Sequence, residues 1–343
     1  METGQVLLSR EAERRFVPAS ITKVMSAYLA FELMADGELA PTDRFTMSAE
    51  AHEAWHRRGS TMFMAEGDEA SVDDLLRGIT GISANDASAV LAEGAAGSVE
   101  AWVEAMNAKA RDLGLRDTHF GTPNGWPDGG RTFTTARDLE RLARALIARH
   151  PDRFARYFGQ EGFAYNGVAQ ANRDPISGQV AGADGLKTGY TRQAGNGFLG
   201  TAKRDGRRLL MVVAAVDDYD VRGQAARELM EWGFSAFEAR PAFSAGDIVG
   251  SARVQRGSSD TVALRATRDA MVSIPRGGTA DIAMAVRYEG PLQAPVIAGE
   301  RVAVLRVRVG DAPVFDLPLE AAQDVPSAGP WRRLVQGLQG LVS

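Results

Sequence analysis

Ser20 and Lys23 stand three residues apart in Pro18-Ala19-Ser20-Ile21-Thr22-Lys23, where a stretch with helical periodicity begins. That spacing puts an alcohol and an amine on one helix face. A serine hydroxyl needs a base, and a lysine can serve if burial and a second cation bring its pKa toward neutrality. Pro18 suits a first turn, where its missing N–H would be unpaired anyway. Helix N–H groups beside Ser20 favour developing negative charge. Two further islands supply what the pair lacks. Ser83-Ala84-Asn85 offers a hydroxyl that can relay a proton between Lys23 and a leaving amine. Its Asn85 can hold both Lys23 and a substrate amide, because it donates and accepts. In Asp184-Gly185-Leu186-Lys187-Thr188-Gly189-Tyr190-Thr191, Lys187 could be the second cation. Lys187 and Thr188 would attract a carboxylate, and Gly189 would leave room for a substrate backbone beside an edge strand. The N–H groups of Tyr190 and Ser20 could together form an oxyanion hole.

The elements that must position these groups follow from the patterning. Gln5 to Ser9 reads as a short strand. Pro18 to Met34, Val72 to Thr80, Asp86 to Glu93, Val99 to Leu113, Ala136 to His150 and Arg222 to Phe237 read as helices, and Leu209 to Val216 as a buried strand. From about Arg240 the helix signals vanish. Leu305, Val307 and Val309 alternate with Arg306 and Arg308, a half-buried strand, and Val272 to Ile274 and Ala283 to Tyr288 are further short strands. The reading is a mixed helix-and-strand domain over residues 1–238, a small all-β domain, sandwich-like, over 239–328, and a tail over 329–343. In the tail, Trp331, Leu334, Val335, Leu338, Leu341 and Val342 share one helical face, opposite Arg332, Arg333, Gln336 and Gln339. Such a basic amphipathic helix can lie in a membrane interface or dock on its own protein.

Each island alone has an ordinary explanation: a helix start, a helix cap or a surface strand. A phosphate loop does not fit, because Leu186 rather than glycine precedes Lys187. In this order and together, the islands match the S-x-x-K, S-x-N and K-T-G set of serine enzymes that recognise penicillin. The chain also resembles the low-molecular-mass penicillin-binding proteins, the serine-type D-alanyl-D-alanine carboxypeptidases of peptidase family S11. The residues carrying this are Pro18 to Met25, Gly59 to Phe63, Asn85 to Ala87, Leu113 to Leu115, Thr118 to Phe120, Thr122 to Gly125 and Ala136 to Leu139.

The resemblance covers nearly the whole chain. It implies an α/β (α+β) catalytic domain of the serine β-lactamase and DD-peptidase kind with a central antiparallel sheet, then a small all-β domain and a terminal amphipathic helix. It implies cleavage of the terminal D-Ala from peptidoglycan stem pentapeptides through an acyl-serine, and acylation by β-lactams. It implies no metal or organic cofactor, and a site outside the cytoplasmic membrane, at the membrane surface. By resemblance Ser20 is the nucleophile, Lys23 its base, and Ser83 and Asn85 shuttle the proton and position substrate. Lys187, Thr188 and Gly189 lie along the substrate, Tyr190 gives its N–H, and Arg173 helps hold the terminal carboxylate. Ala84 stands where glycine is common, and Tyr190 where histidine is common. The family also implies a strand before Thr3-Gly4 and an export leader, neither of which appears here, so the start reads as truncated. Cutting of cross-links, or a catalytically idle wall-binding protein on the same fold, are the alternatives within this reading.

Composition bounds the rest. A net charge of -5 over 343 residues argues against a nucleic-acid partner. The absence of cysteine excludes disulfides, thiolate zinc sites and cysteine nucleophiles. No run reaches the roughly 20 apolar residues of a spanning helix. His52-Glu53-Ala54-Trp55-His56 matches the zinc-protease pattern H-E-x-x-H. However, Arg57-Arg58-Gly59-Ser60 must end any helix within a turn, and nothing marks a third ligand. A class A β-lactamase needs a glutamate in an E-x-x-L-N pattern between the second and third islands. Glu161 to Asn166 does not supply it, so a bound penicillin should leave slowly.

Overall fold

The computed structural model describes residues 1, 4–277, 281–310 and 313–329. These form two compact units, one of residues 10–231 and the other of residues 1–9 with the chain from 232 onward.

The first unit is mostly helical around a small sheet. A short 3-10 turn, Ala19–Thr22, feeds α1 (Lys23–Asp36), which Gly37 ends in the left-handed conformation. The sequence pattern suggests one apolar face, yet every residue from Lys23 to Phe31 is buried, so α1 is the central helix, covered on all sides. Around it stand α2 (Ala49–Trp55), α3 (Val72–Arg77), α4 (Asn85–Ala96), α5 (Val99–Asp112), α6 (Ala136–Arg149) and α7 (Pro151–Tyr157). Ser48, Ser71, Ser98 and Thr135 cap α2, α3, α5 and α6, each accepting the N–H three residues on. Each such cap stabilises its helix by about 1 kcal/mol. Between α3 and α4 the chain makes a π-turn, Gly78–Ile82.

Two small pairs, β1 (Arg44–Thr46) with β2 (Glu69–Ser71) and β3 (Gly162–Tyr165) with β4 (Val168–Ala171), flank the helices. The main sheet is an antiparallel meander of β5 (Ala183–Thr191), β6 (Gly195–Arg204) and β7 (Arg207–Val216), with β5 at one edge. The Leu209 to Val216 run is therefore a strand as expected, but the other edge strand and mostly half-buried rather than fully enclosed. After it comes α8 (Tyr219–Ser235).

The second unit is all β. In it β12 (Ile282–Arg287), β14 (Arg301–Val309), β15 (Phe315–Ala321), β10 (Thr261–Ala266), β9 (Ile248–Gln255) and β13 (Leu292–Gln293) make one sheet in that order. The pair β8 (Phe237–Phe243) and β11 (Ala270–Pro275) forms a second layer. Val262, Leu264, Leu305, Val307, Leu317, Leu319, Val272 and Ile274 from the two layers share one core. The period-2 pattern of β14 points Ala303, Leu305, Val307 and Val309 inward, while Arg306 pairs Asp316 across to β15 at 2.9 Å.

Gln5 to Ser9 is not a strand. Instead the Gln5 amide donates to Ser273 O at 2.7 Å and accepts from Ser273 N at 2.7 Å, so one side chain ties this segment to β11 where a ladder was expected. The expected amphipathic tail lies outside the described residues.

Candidate active site

Helix α1 begins with Lys23, so the amine starts from the middle of the apolar core. Its Nζ donates to Ser20 Oγ at 2.9 Å, Asn85 Oδ1 at 2.8 Å and Asn124 O at 2.9 Å. An ammonium has three protons, and all three are used. As the neutral amine, Lys23 would keep the Asn85 and Asn124 bonds and turn its lone pair to the Ser20 proton. Lys23 is 1% exposed. Burial first, and then the charge of Lys187, hold its pKa well below the ordinary lysine value, with Asp86 opposing.

Three local devices bring the partners in. Asn85 opens α4, with its N–H on Ser60 O at 2.7 Å and its Nδ2 on Arg58 O at 3.1 Å. That leaves one amide proton of Asn85 for the cleft. Gly125, at φ +74, lets the 122–126 loop press on the nucleophile turn; a Cβ there would lie 1.8 Å from Ala19 O. The Asn124 carbonyl thereby reaches Lys23, and one turn further along α1 Ser26 Oγ donates to Pro123 O at 2.6 Å. Asp86, beside Asn85, accepts the N–H groups of Met62 and Ala87 at 2.9 Å and so fixes the segment leading from Ser60.

Strand β5 brings the third island. Lys187 is 4% exposed, and its Nζ donates to Thr188 O at 3.0 Å. Burial, then the charges of Arg173 and Arg222, bring its pKa down to about 7, against the pull of Asp174. Arg173 Nη1 donates to Ser60 Oγ at 2.9 Å. The buried Arg222 guanidinium lies 4.6 Å over the Tyr219 ring. Lys187 thus senses two further cations and one acid, and its own charge reaches Lys23. Such cations can bind a carboxylate and lower the pKa of an amine near them.

The remaining candidates are less closely joined. Ser83 follows the π-turn at φ +66 and is nearly buried, but no hydrogen bond links its hydroxyl to Lys23. Thr188 and Tyr190 lie on the edge strand, and the Tyr190 ring is 60% exposed. Gly189 serves a different purpose from the one its sequence suggests. A Cβ there would lie 2.4 Å from Pro18 O and 3.2 Å from Ile21 N, so the room it leaves is filled by the nucleophile turn itself, not by substrate backbone. Gly189→Ala is therefore expected to push that turn aside. A shift of about 1 Å at Ser20 should slow acylation on the order of 10²-fold. Comparing the rate of labelling by a fluorescent penicillin in the two proteins checks this, and an unchanged rate would refute the packing argument.

Asn124 and Ser60 lie in segments that carry the family resemblance, but no role follows for them from residue type, because Asn124 works through its carbonyl. Arg222 gives no signal in the sequence. The H-E-x-x-H pattern lies on α2, which ends at Trp55 with His56 as its cap. The two rings sit 4.6 Å apart, and among the described residues no group of three His, Asp or Glu side chains is placed to hold a metal.

Residues 1–218 match the family described as D-alanyl-D-alanine carboxypeptidase, and residues 237–327 that described as the penicillin-binding protein 5 C-terminal domain. The D-alanyl-D-alanine carboxypeptidase DacA of Haemophilus influenzae is 32% identical over 99% of this chain and 88% of that protein. Its Escherichia coli counterpart is 31% identical over 97% and 83%. The crystal structure of penicillin-binding protein 5 from Haemophilus influenzae superposes with a TM-score of 0.82 at 30% identity, covering 95% of each chain. An ampicillin-bound penicillin-binding protein D2 from Listeria monocytogenes gives 0.61 at 28% identity, over 68% of this chain and 93% of that one.

Proposed function

Because the chain belongs to peptidase family S11, the D-alanyl-D-alanine carboxypeptidases, we propose that it removes the terminal D-Ala of peptidoglycan stem pentapeptides through an acyl-Ser20 intermediate. The 2.9 Å contact between Lys23 Nζ and Ser20 Oγ, inside a fully buried amine site, carries this reading. Neutral Lys23 takes the Ser20 proton as Oγ attacks the carbonyl carbon of the penultimate D-Ala. The N–H groups of Ser20 and Tyr190 receive the developing oxyanion. The free Asn85 amide proton holds the substrate amide, while Lys187, Thr188 and Arg173 hold the terminal carboxylate. As the C–N bond breaks, the proton passes from Lys23, with Ser83 as relay, to the departing D-Ala nitrogen. Water then hydrolyses the ester and Ser20 regains its proton.

Penicillin enters the same path as far as the ester. Intact-protein and peptide mass spectrometry should find one penicillin on Ser20, absent in Ser20→Ala. D-Ala release from a stem pentapeptide should be lost in the same variant. A folded protein with Ser20 unlabelled would sink the proposal. Residues 161–166, where a deacylating glutamate would be sought, instead lie in the β3–β4 hairpin, between Gln160 and Val168. The penicilloyl ester should therefore persist for minutes or longer, and rapid turnover of penicillin in a steady-state assay would contradict that.

The substrate places the enzyme outside the cytoplasmic membrane. No helix among the described residues is long and apolar enough to cross a bilayer. For attachment at that membrane the amphipathic residues 329–343 are the segment proposed, since their apolar face reads as interfacial from sequence.

A further inference from the structure

Two tryptophans stand at the rim of this site, and the chemistry above does not use them. Trp126 follows Gly125 in the loop whose Asn124 carbonyl receives Lys23, and its N–H donates to Asn124 Oδ1 at 3.0 Å. Its ring lies over Gly59. A Cβ on that exposed glycine would be 2.9 Å from Trp126 Cζ3 and 2.7 Å from Asn85 Nδ2. The space over Gly59 is therefore already filled, with the indole edge and the Asn85 amide closing on it as near neighbours. Trp55, the last residue of α2, meets Trp126 edge-on, with centroids 5.5 Å apart and planes at 84°. Both rings are half-buried. On its other flank Trp55 lines an open groove of about 460 Å³ between α2, α4 and the start of α5.

We propose that Trp126, braced by Trp55, is a specificity-determining wall for the apolar group next to the ligand amide that Asn85 holds. The ligand is either the acyl side of a stem peptide or the side chain of a penicillin. This rests on the acyl-serine reading above. A ligand carbonyl that takes the remaining Asn85 proton brings its neighbouring atoms alongside the indole edge, which adjoins that amide across Gly59. The ring is held from two directions, by its backbone hydrogen bond and by Trp55, so a ligand meets a preformed apolar face and orders little on arrival.

The test compares second-order acylation of Ser20 by benzylpenicillin with that by 6-aminopenicillanic acid, the same nucleus without its aromatic side chain. In Trp126→Ala the ratio of the two rates should fall about tenfold, the scale of one aromatic contact with its burial. Trp126→Phe should keep most of the ratio, and Trp55→Ala should lower it less, in the same direction. An unchanged ratio in Trp126→Ala, with both rates shifted equally, would assign the ring to structure alone and overturn the wall. Absence of any acylation in the wild-type protein would instead overturn the acyl-serine reading on which the wall depends.

Discussion

Lys23→Met should slow penicillin acylation of Ser20 by roughly 10²–10⁴-fold, the range lost with a general base, and leave the protein folded. Methionine fills much of the same volume among the apolar neighbours of α1, where residues 23–31 are all buried. It removes the acceptor of the Ser20 proton. It also leaves Asn85 Oδ1 and the Asn124 carbonyl without their Lys23 partner. Each such orphan costs about 1–3 kcal/mol. Against that, no amine has to be stripped of water, which is itself a cost of several kcal/mol for a buried cation. The two nearly offset, so the melting temperature should change far less than the rate. A stopped-flow acylation assay beside a thermal melt separates them. Wild-type rates in the variant would remove Lys23 from the chemistry.

The second large effect is a displaced pH profile in Lys187→Met. In the native protein kcat/KM should rise with pH as Lys23 loses its proton. It should fall again as Lys187, at about 7, loses the charge that attracts the carboxylate. The two amines are coupled, so the limbs belong to the pair. Burial and then the charge of Lys187 depress the Lys23 pKa. Removing a like charge favours the protonated form, so the Lys23 pKa must rise. The rising limb should then move to more alkaline pH and the falling limb near 7 should disappear. At neutral pH the loss of a charged hydrogen bond to the carboxylate should cost roughly 10–100-fold in kcat/KM. A profile of unchanged shape would mean that the two ammoniums do not sense each other.

The proposed catalytic set was legible because it is made of side-chain types. The three islands together resemble the motif set of acyl-transferring serine enzymes, and the structure brings Ser20, Lys23 and Asn85 into one hydrogen-bonded group. What the sequence hid works through the backbone or through absence. The Asn124 carbonyl has no signature. Gly189 was legible as a close approach, but only coordinates say that the approaching group is Pro18 O. Six helices follow from apolar periodicity to within a few residues, but the short α2 and α7 do not, and periodicity does not report that residues 23–31 of α1 are buried on every side. Strand β6, with three glycines and a mixed composition, gave no pattern, although it is the most buried strand of its sheet. The β domain was easier, because alternating Arg and Val in β14 records its two faces directly.

Residues 23–31 of helix α1 are enclosed on every side, and the amine proposed as the base is the first of them. Amides in such a segment exchange with solvent only when the whole cooperative unit opens. The machinery therefore cannot fray while its surroundings persist. Heat or denaturant should leave the Ser20–Lys23 pair in each molecule either intact or lost with the unit of residues 10–231, and partial inactivation through this pair measures the fraction of intact units rather than a weakened enzyme.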